Sequence, residues 1–154
     1  MLLELLWLFL AGGIGTLARF SLAGFVQRLS ASELPYGTFA VNAMGCLLFG
    51  LVWPLAEERL IISGETRFII LTGFMGAFTT FSTFAFETGG LVRDSEWWLA
   101  VANILTHNIV GVSAALLGMA SGRPILRHLG ASGASIVHVE NASASSSAAF
   151  RHAC

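Results

Sequence analysis

Apolar residues fall in four long runs separated by short polar links. The runs cover roughly Leu5 to Val26, Thr38 to Ala56, Phe68 to Val92 and Trp97 to Met119. A hydrocarbon core ~30 Å thick is crossed by ~20 apolar residues in helical form, so each run predicts one spanning helix. The links carry the breakers and the charge. QRLSASELPYG holds Pro35 and Gly37, EERLIISGETR gathers charged side chains, and Arg93, Asp94 and Glu96 mark a short turn. Trp53, Trp97 and Trp98 stand near run ends, where indole rings anchor to the interface. The pattern predicts an all-α, integral membrane fold with four transmembrane helices.

Within these runs, small residues mark places for close helix approach. Ala11, Gly12, Gly13 and Gly15 cluster in the first, and Gly111, Ala115 and Gly118 form a stripe in the fourth. The first run starts almost at Met1, but its leading segment has Glu4 and no basic residue, which reads as a retained helix and not a signal peptide. After Ser121 the pattern stops. Residues 122–154 are Ser, Ala and Gly with scattered histidines, too poor in large apolar groups to offset the entropy of ordering. The expected division is a membrane domain over 1–121 and a disordered tail over 122–154. The triplet Asn141, Ala142, Ser143 in that tail has the form of a glycosylation acceptor, a form that arises often by chance.

Composition removes whole classes of function. The chain is 55% hydrophobic and 11% charged, it has no lysine, and its net charge is −1, which leaves no basic stripe for nucleic acid. Two cysteines, Cys46 in an apolar run and Cys154 at the end of the tail, make no disulfide framework. No nucleophile stands at motif spacing from a base, and no P-loop, dinucleotide turn or zinc-ligand pattern occurs, so no enzyme is expected. Four spans put both termini on one side. Arg59, Arg67, Arg123 and Arg127 lie on that side, with Arg28 and Arg93 opposite. This slight bias favours cytoplasmic termini; its weakness is expected of so short a chain, the reading composition favours, and it also fits copies that insert in both directions and pair antiparallel.

Candidate chemistry concentrates in the third run, FIILTGFMGAFTTFSTFAFETGGLV. Gly73, Gly76, Thr79, Thr80, Ser82 and Thr83 crowd its centre, and half of the chain's 12 phenylalanines lie in it. Glycines there permit unwinding, and exposed carbonyls at mid-membrane depth are tolerated only inside protein or around an ion. Such a break would offer carbonyls to a cation and a helix N-terminus to an anion. The other reading is a helix whose hydroxyls bond to their own backbone one turn earlier. Phe81 and Phe84 are one turn apart, and the positive edges of two phenyl rings can contact an anion; a stripe of plain core or lipid contact has the same spacing. Asn42 in the second run needs a partner or a wet path, with helix-to-helix glue equally open. Arg19 and Glu87 are costly in hydrocarbon unless they pair, snorkel or face water. Asn103 and His107 share a helix face, with Asn108 adjacent, but no further ligands stand nearby for a metal.

Together these segments resemble the small bacterial fluoride channels of the Fluc or CrcB family. The match rests on GGIGTLARF, GTFAVNAMGCLLFG, GFMGAFTTFSTF and the spaced Asn103, His107 and Gly111. The resemblance implies an antiparallel, dual-topology homodimer in the bacterial inner membrane, with a broken third helix, two fluoride pathways and one structural sodium. It implies that the carbonyls of Gly76 and Thr79 hold the sodium and that Asn42, Phe81, Ser82, Thr83 and Phe84 line the fluoride path. Arg19 would stand by a vestibule and Glu87 near the far end of the path. His107 occupies a position where the family commonly has serine, so a hydroxyl gives way to an imidazole. The implied activity is passive fluoride export. Its rivals are a fluoride/proton antiporter working through Glu87 or His107, and a non-conducting scaffold whose glycines serve only packing.

Overall fold

The computed structural model describes residues 1–30, 34–57 and 63–152, with only the backbone described for 55–57 and 125–152. Helix α1 covers Leu2–Ser30 and α2 covers Tyr36–Glu57. The third span is composite. It runs as α3 (Gly64–Phe68), a π-helical stretch (Ile69–Met75), α4 (Gly76–Phe78) and, after an interruption, α5 (Phe81–Arg93). Helix α6 covers Trp97–His152. Four segments are long and apolar enough to cross a membrane: Leu2–Ser30, Tyr36–Pro54, Gly64–Arg93 and Trp97–Pro124. The chain is thus an all-helical, multi-pass membrane protein with a bent third span. Residues such as Leu17, Phe20, Leu116 and Leu117, each at least 60% exposed, present the apolar outer surface that a bilayer solvates.

The predicted runs and the four apolar helical segments coincide to within a few residues, and the links show why the first three stop where they do. Between α1 and α2 the Gln27 side chain donates to the Leu34 carbonyl at 3.0 Å and accepts from the Gly37 amide at 3.1 Å, which holds the turn after Pro35. Helix α5 closes with Ser95 in the left-handed region (φ 64°), the Ser95 amide donating to Val92 and the Glu96 amide to Leu91. That pair of bonds satisfies two end carbonyls of α5 and turns the chain into α6. Ser63 caps α3 by accepting from the Thr66 amide at 3.2 Å.

Small residues set the packing, as the sequence pattern anticipated. A Cβ on Gly15 would collide with the Phe74 carbonyl, and one on Gly73 would meet the Ala11 Cβ at 3.1 Å, so α1 lies backbone to backbone against the π-helical stretch. The α6 stripe serves α2 in the same way. A Cβ on Gly118 would strike the Leu47 carbonyl, and one on Gly50 the Ala115 carbonyl. With little large-side-chain burial beyond Val41, Met75, Phe78, Phe84 and Ala100, close van der Waals approach carries much of the cohesion.

Compactness divides the chain into two units, Met1–Gly122 and Arg123–Cys154. The second unit is helical along its backbone to His152, where composition predicted a disordered tail. Its many alanines suit a helix locally even though nothing in the composition supplies an apolar face. Arg59, used in weighing orientation, and Cys154 lie outside the described residues.

Candidate functional site

The third span opens between Phe78 and Phe81. Sequence crowding placed an opening within Gly73 to Thr83, and the resemblance set it at Gly76 and Thr79; Gly76 itself is helical (φ −63°, ψ −32°). The chain leaves helical geometry at Thr79 (φ −81°, ψ 152°) and Thr80 (φ −144°, ψ 107°). Two side chains make the interruption possible by taking amides away from the helix ladder. The Thr80 amide, which an unbroken helix would give to the Gly76 carbonyl, donates instead to Oδ1 of Asn42 at 2.8 Å. The Thr83 amide, which would serve the Thr79 carbonyl, donates to Oγ1 of Thr80 at 3.3 Å. The carbonyls of Gly76 and Thr79 are thereby stripped of their usual partners at mid-span.

Asn42 works at both ends. Its Nδ2 donates to the Thr80 carbonyl at 3.0 Å while its Oδ1 takes the Thr80 amide, so one side chain satisfies both backbone groups of the extended residue. The glue reading of this amide therefore holds in the structure, and Asn42 still lines the cavity described below. Thr80 caps α5, with its hydroxyl 2.8 Å from that of Thr83. The two readings of the hydroxyls divide by position. Thr79, Thr88 and Thr106 bond to carbonyls one turn earlier, whereas Thr80 and Thr83 form the cap. A Cβ on Gly45 would collide with the Thr79 methyl, so α2 has a glycine where the break leans on it.

A cavity of about 390 Å³ opens beside the break, and Asn42, Gly76, Thr79, Phe81, Phe84 and His107 are among the residues that line it. Phe81 is 78% exposed and Phe84 only 7%, with ring centroids 5.5 Å apart and planes tilted by 55°. Phe84 in turn lies 4.4 Å from the His107 ring, which Phe39 approaches edge-on at 5.2 Å. A second cavity, also about 390 Å³, flanks the other side of Thr80 and is lined by Thr16, Arg19, Thr38 and Thr83 among others. Thr80 lines both. Of the residues singled out from sequence, Ser82 is exposed and lines neither cavity. Glu87 lines a third cavity, where its Oε1 accepts from the Thr38 hydroxyl at 2.6 Å and its Oε2 is buried with no partner among the described residues.

Sequence reasoning counted Thr80 among the crowded hydroxyls without giving it a role, and left Thr38 out. A doubled threonine ahead of FSTF carries a capping signal that pointed to Thr80; nothing local marks Thr38, whose partner is 49 positions away. The polar face of α6 resolves into bonds: Asn103 donates to the Thr88 hydroxyl at 2.9 Å, tying α6 to α5, and Asn108 donates to the Ile104 carbonyl. Among the described residues no three His, Cys, Asp or Glu side chains gather as a metal site would need.

Four spanning helices with a third that opens against a lined cavity define a polytopic helical membrane protein built around a broken helix. The family described as CrcB-like protein, Camphor Resistance (CrcB), matches residues 6–119, and the chain belongs to it. Similar proteins include one named fluoride-specific ion channel FluC from Nitrosococcus oceani, 56% identical over 115 residues that make up 75% of this chain and 92% of the relative. Proteins of the same name from Desulforapulum autotrophicum (53% over 116 residues, 75% and 93%) and Solidesulfovibrio magneticus (49% over 125 residues, 81% and 100%) are similarly related. These relatives are named as channels, not enzymes.

Proposed function

We propose that this chain is a passive, fluoride-selective channel of the bacterial inner membrane that lets accumulated fluoride leave the cell. The relatives' shared name supports the substrate, and the observation that carries the reading is the juxtaposition of Phe81 and Phe84 with a cavity at the opened start of α5. Fluoride is small and tightly hydrated, so passage needs donors that replace water in steps without a deep well. Ring edges at Phe81 and Phe84 in one cavity, Thr80 between the two cavities and the Thr83 hydroxyl in the other would supply weak contacts of that kind. The amides at the N-terminus of α5 add a positive dipole end, and the Arg19-lined cavity adds an electropositive approach. Ser82 would join the path through its exposed face, and Glu87 with Thr38 would stand at its far end.

The working form is an antiparallel homodimer of dual-topology copies. Gly76 is exposed on the single chain while its carbonyl has lost its helical donor, and such a group facing hydrocarbon costs several kcal/mol. A second copy and a sodium ion held by the Gly76 and Thr79 carbonyls of both copies would cover it. Carbonyl oxygens are the hard ligands a sodium ion prefers, so the donor set fits. The bound ion would supply a fixed positive charge that ties the two breaks together.

Purified protein in liposomes loaded with fluoride or chloride tests this directly. Fluoride efflux that is much faster than chloride efflux, needs no proton gradient and weakens when sodium is removed is the expected result. Equal chloride efflux would end the selectivity claim. Efflux that follows an imposed proton gradient would instead favour an antiporter using the buried carboxyl of Glu87, and no efflux of either anion would leave a scaffold.

A further inference from the structure

His107 contributes something a hydroxyl at its position would not. Its Nδ1 lies 3.0 Å from the Asn103 carbonyl oxygen. A carbonyl can only accept, so Nδ1 carries a hydrogen, and in the neutral ring Nε2 is then a bare acceptor. That Nε2 is buried, with no partner among the described residues, in a ring that lines the cavity with Asn42, Thr79, Phe81 and Phe84. The ring is held on two sides, by Phe39 edge-on and by Phe84 at 4.4 Å, and these contacts fix which way Nε2 points.

A lone pair repels an anion, whereas an imidazolium N–H donates to it with charge assistance. Taking the cavity as the fluoride route, we propose that Nε2 of His107 is a proton-controlled anion subsite, silent when the ring is neutral and recruiting fluoride when it is protonated. Flux through this channel therefore rises as pH falls, a response built in by the imidazole. Among the described residues, the only other titratable group lining this cavity is the Cys46 thiol of α2, which stays uncharged through the acid range. The third span presents no charged group there. From α5 come Phe81 and Phe84, while Glu87 of the same helix is held by Thr38 and lines a different cavity together with Asp94. Helix α6 adds the neutral Asn103 and Asn108, and Arg19 of α1 belongs to the cavity beyond Thr80.

The test is initial fluoride efflux from liposomes holding the full chain, from about pH 8 down to about pH 5.5, the range over which imidazole titrates. Protein-free vesicles at each pH subtract the hydrogen fluoride that crosses lipid unaided. Wild-type efflux should rise severalfold along a one-proton curve, and His107→Ser and His107→Gln should each conduct with no such rise. Glu87→Gln should keep the rise. A flat wild-type profile overturns the proposal, as does a rise retained in both His107 variants or lost in Glu87→Gln alone. Should one His107 variant fail to give monodisperse protein, the other variant and the wild-type profile decide. Fluoride efflux absent at every pH contradicts the channel reading itself, which a flat but robust efflux would leave standing.

Discussion

The two halves of the third span hold to the rest of the bundle by different physics. Before the break, the π-helical stretch and α4 sit against α1 through close backbone approach, with Gly15 under the Phe74 carbonyl and Gly73 against Ala11. After the break, α5 is tied by side-chain hydrogen bonds: Asn42 to Thr80, Thr38 to Glu87 and Asn103 to Thr88. Steric fit is all-or-none, since a methyl either fits or collides. Hydrogen bonds to side chains can be exchanged, which suits the helix end proposed to meet an ion. The sterically packed half supports the break, and the polar half exposes chemistry to the cavity.

Substitutions that cross this division should have graded effects. Gly15→Leu drives a side chain into the Phe74 carbonyl and should cost about 3 kcal/mol or more. It is expected to abolish the monodisperse peak on size-exclusion chromatography; a normal peak would mean that α1 does not clamp the first half. Asn42→Leu removes both partners of Thr80, and at about 1–3 kcal/mol for each buried group left unpaired it should lower thermal stability in detergent clearly, though less than Gly15→Leu. Unchanged melting would show that the break holds itself open. Thr38→Val, paired with Glu87→Gln in a double-mutant cycle, should show a coupling of about 1 kcal/mol for their 2.6 Å bond. Strict additivity would say that the bond does not position Glu87.

Much of this was readable from the chain. Runs of apolar residues gave the four spans, and the small-residue clusters gave the helix contacts, because both depend on local composition and helical period. The existence of a break was legible in the glycine and hydroxyl crowding, but its position was not. Gly76 permits unwinding without requiring it, and the decision falls to Asn42, 38 positions from Thr80, whose amide captures the backbone groups of that residue. Likewise the sequence grouped Thr83 with Phe81 and Phe84 on one path, whereas the helix turns Thr83 toward the Arg19 cavity and the two rings toward the other. Proximity along a helix does not say which face a residue occupies until the neighbouring helices are placed.

Phe81 gives the most direct test that the cavity beside the break carries fluoride. Its ring is 78% exposed, so Phe81→Ile should leave folding and chromatographic behaviour intact. If ring edges at Phe81 and Phe84 conduct the anion, fluoride efflux from liposomes should fall at least about tenfold, the equivalent of about 1.4 kcal/mol. Efflux at the wild-type rate would mean that Phe81 is only a lipid contact and would contradict the account.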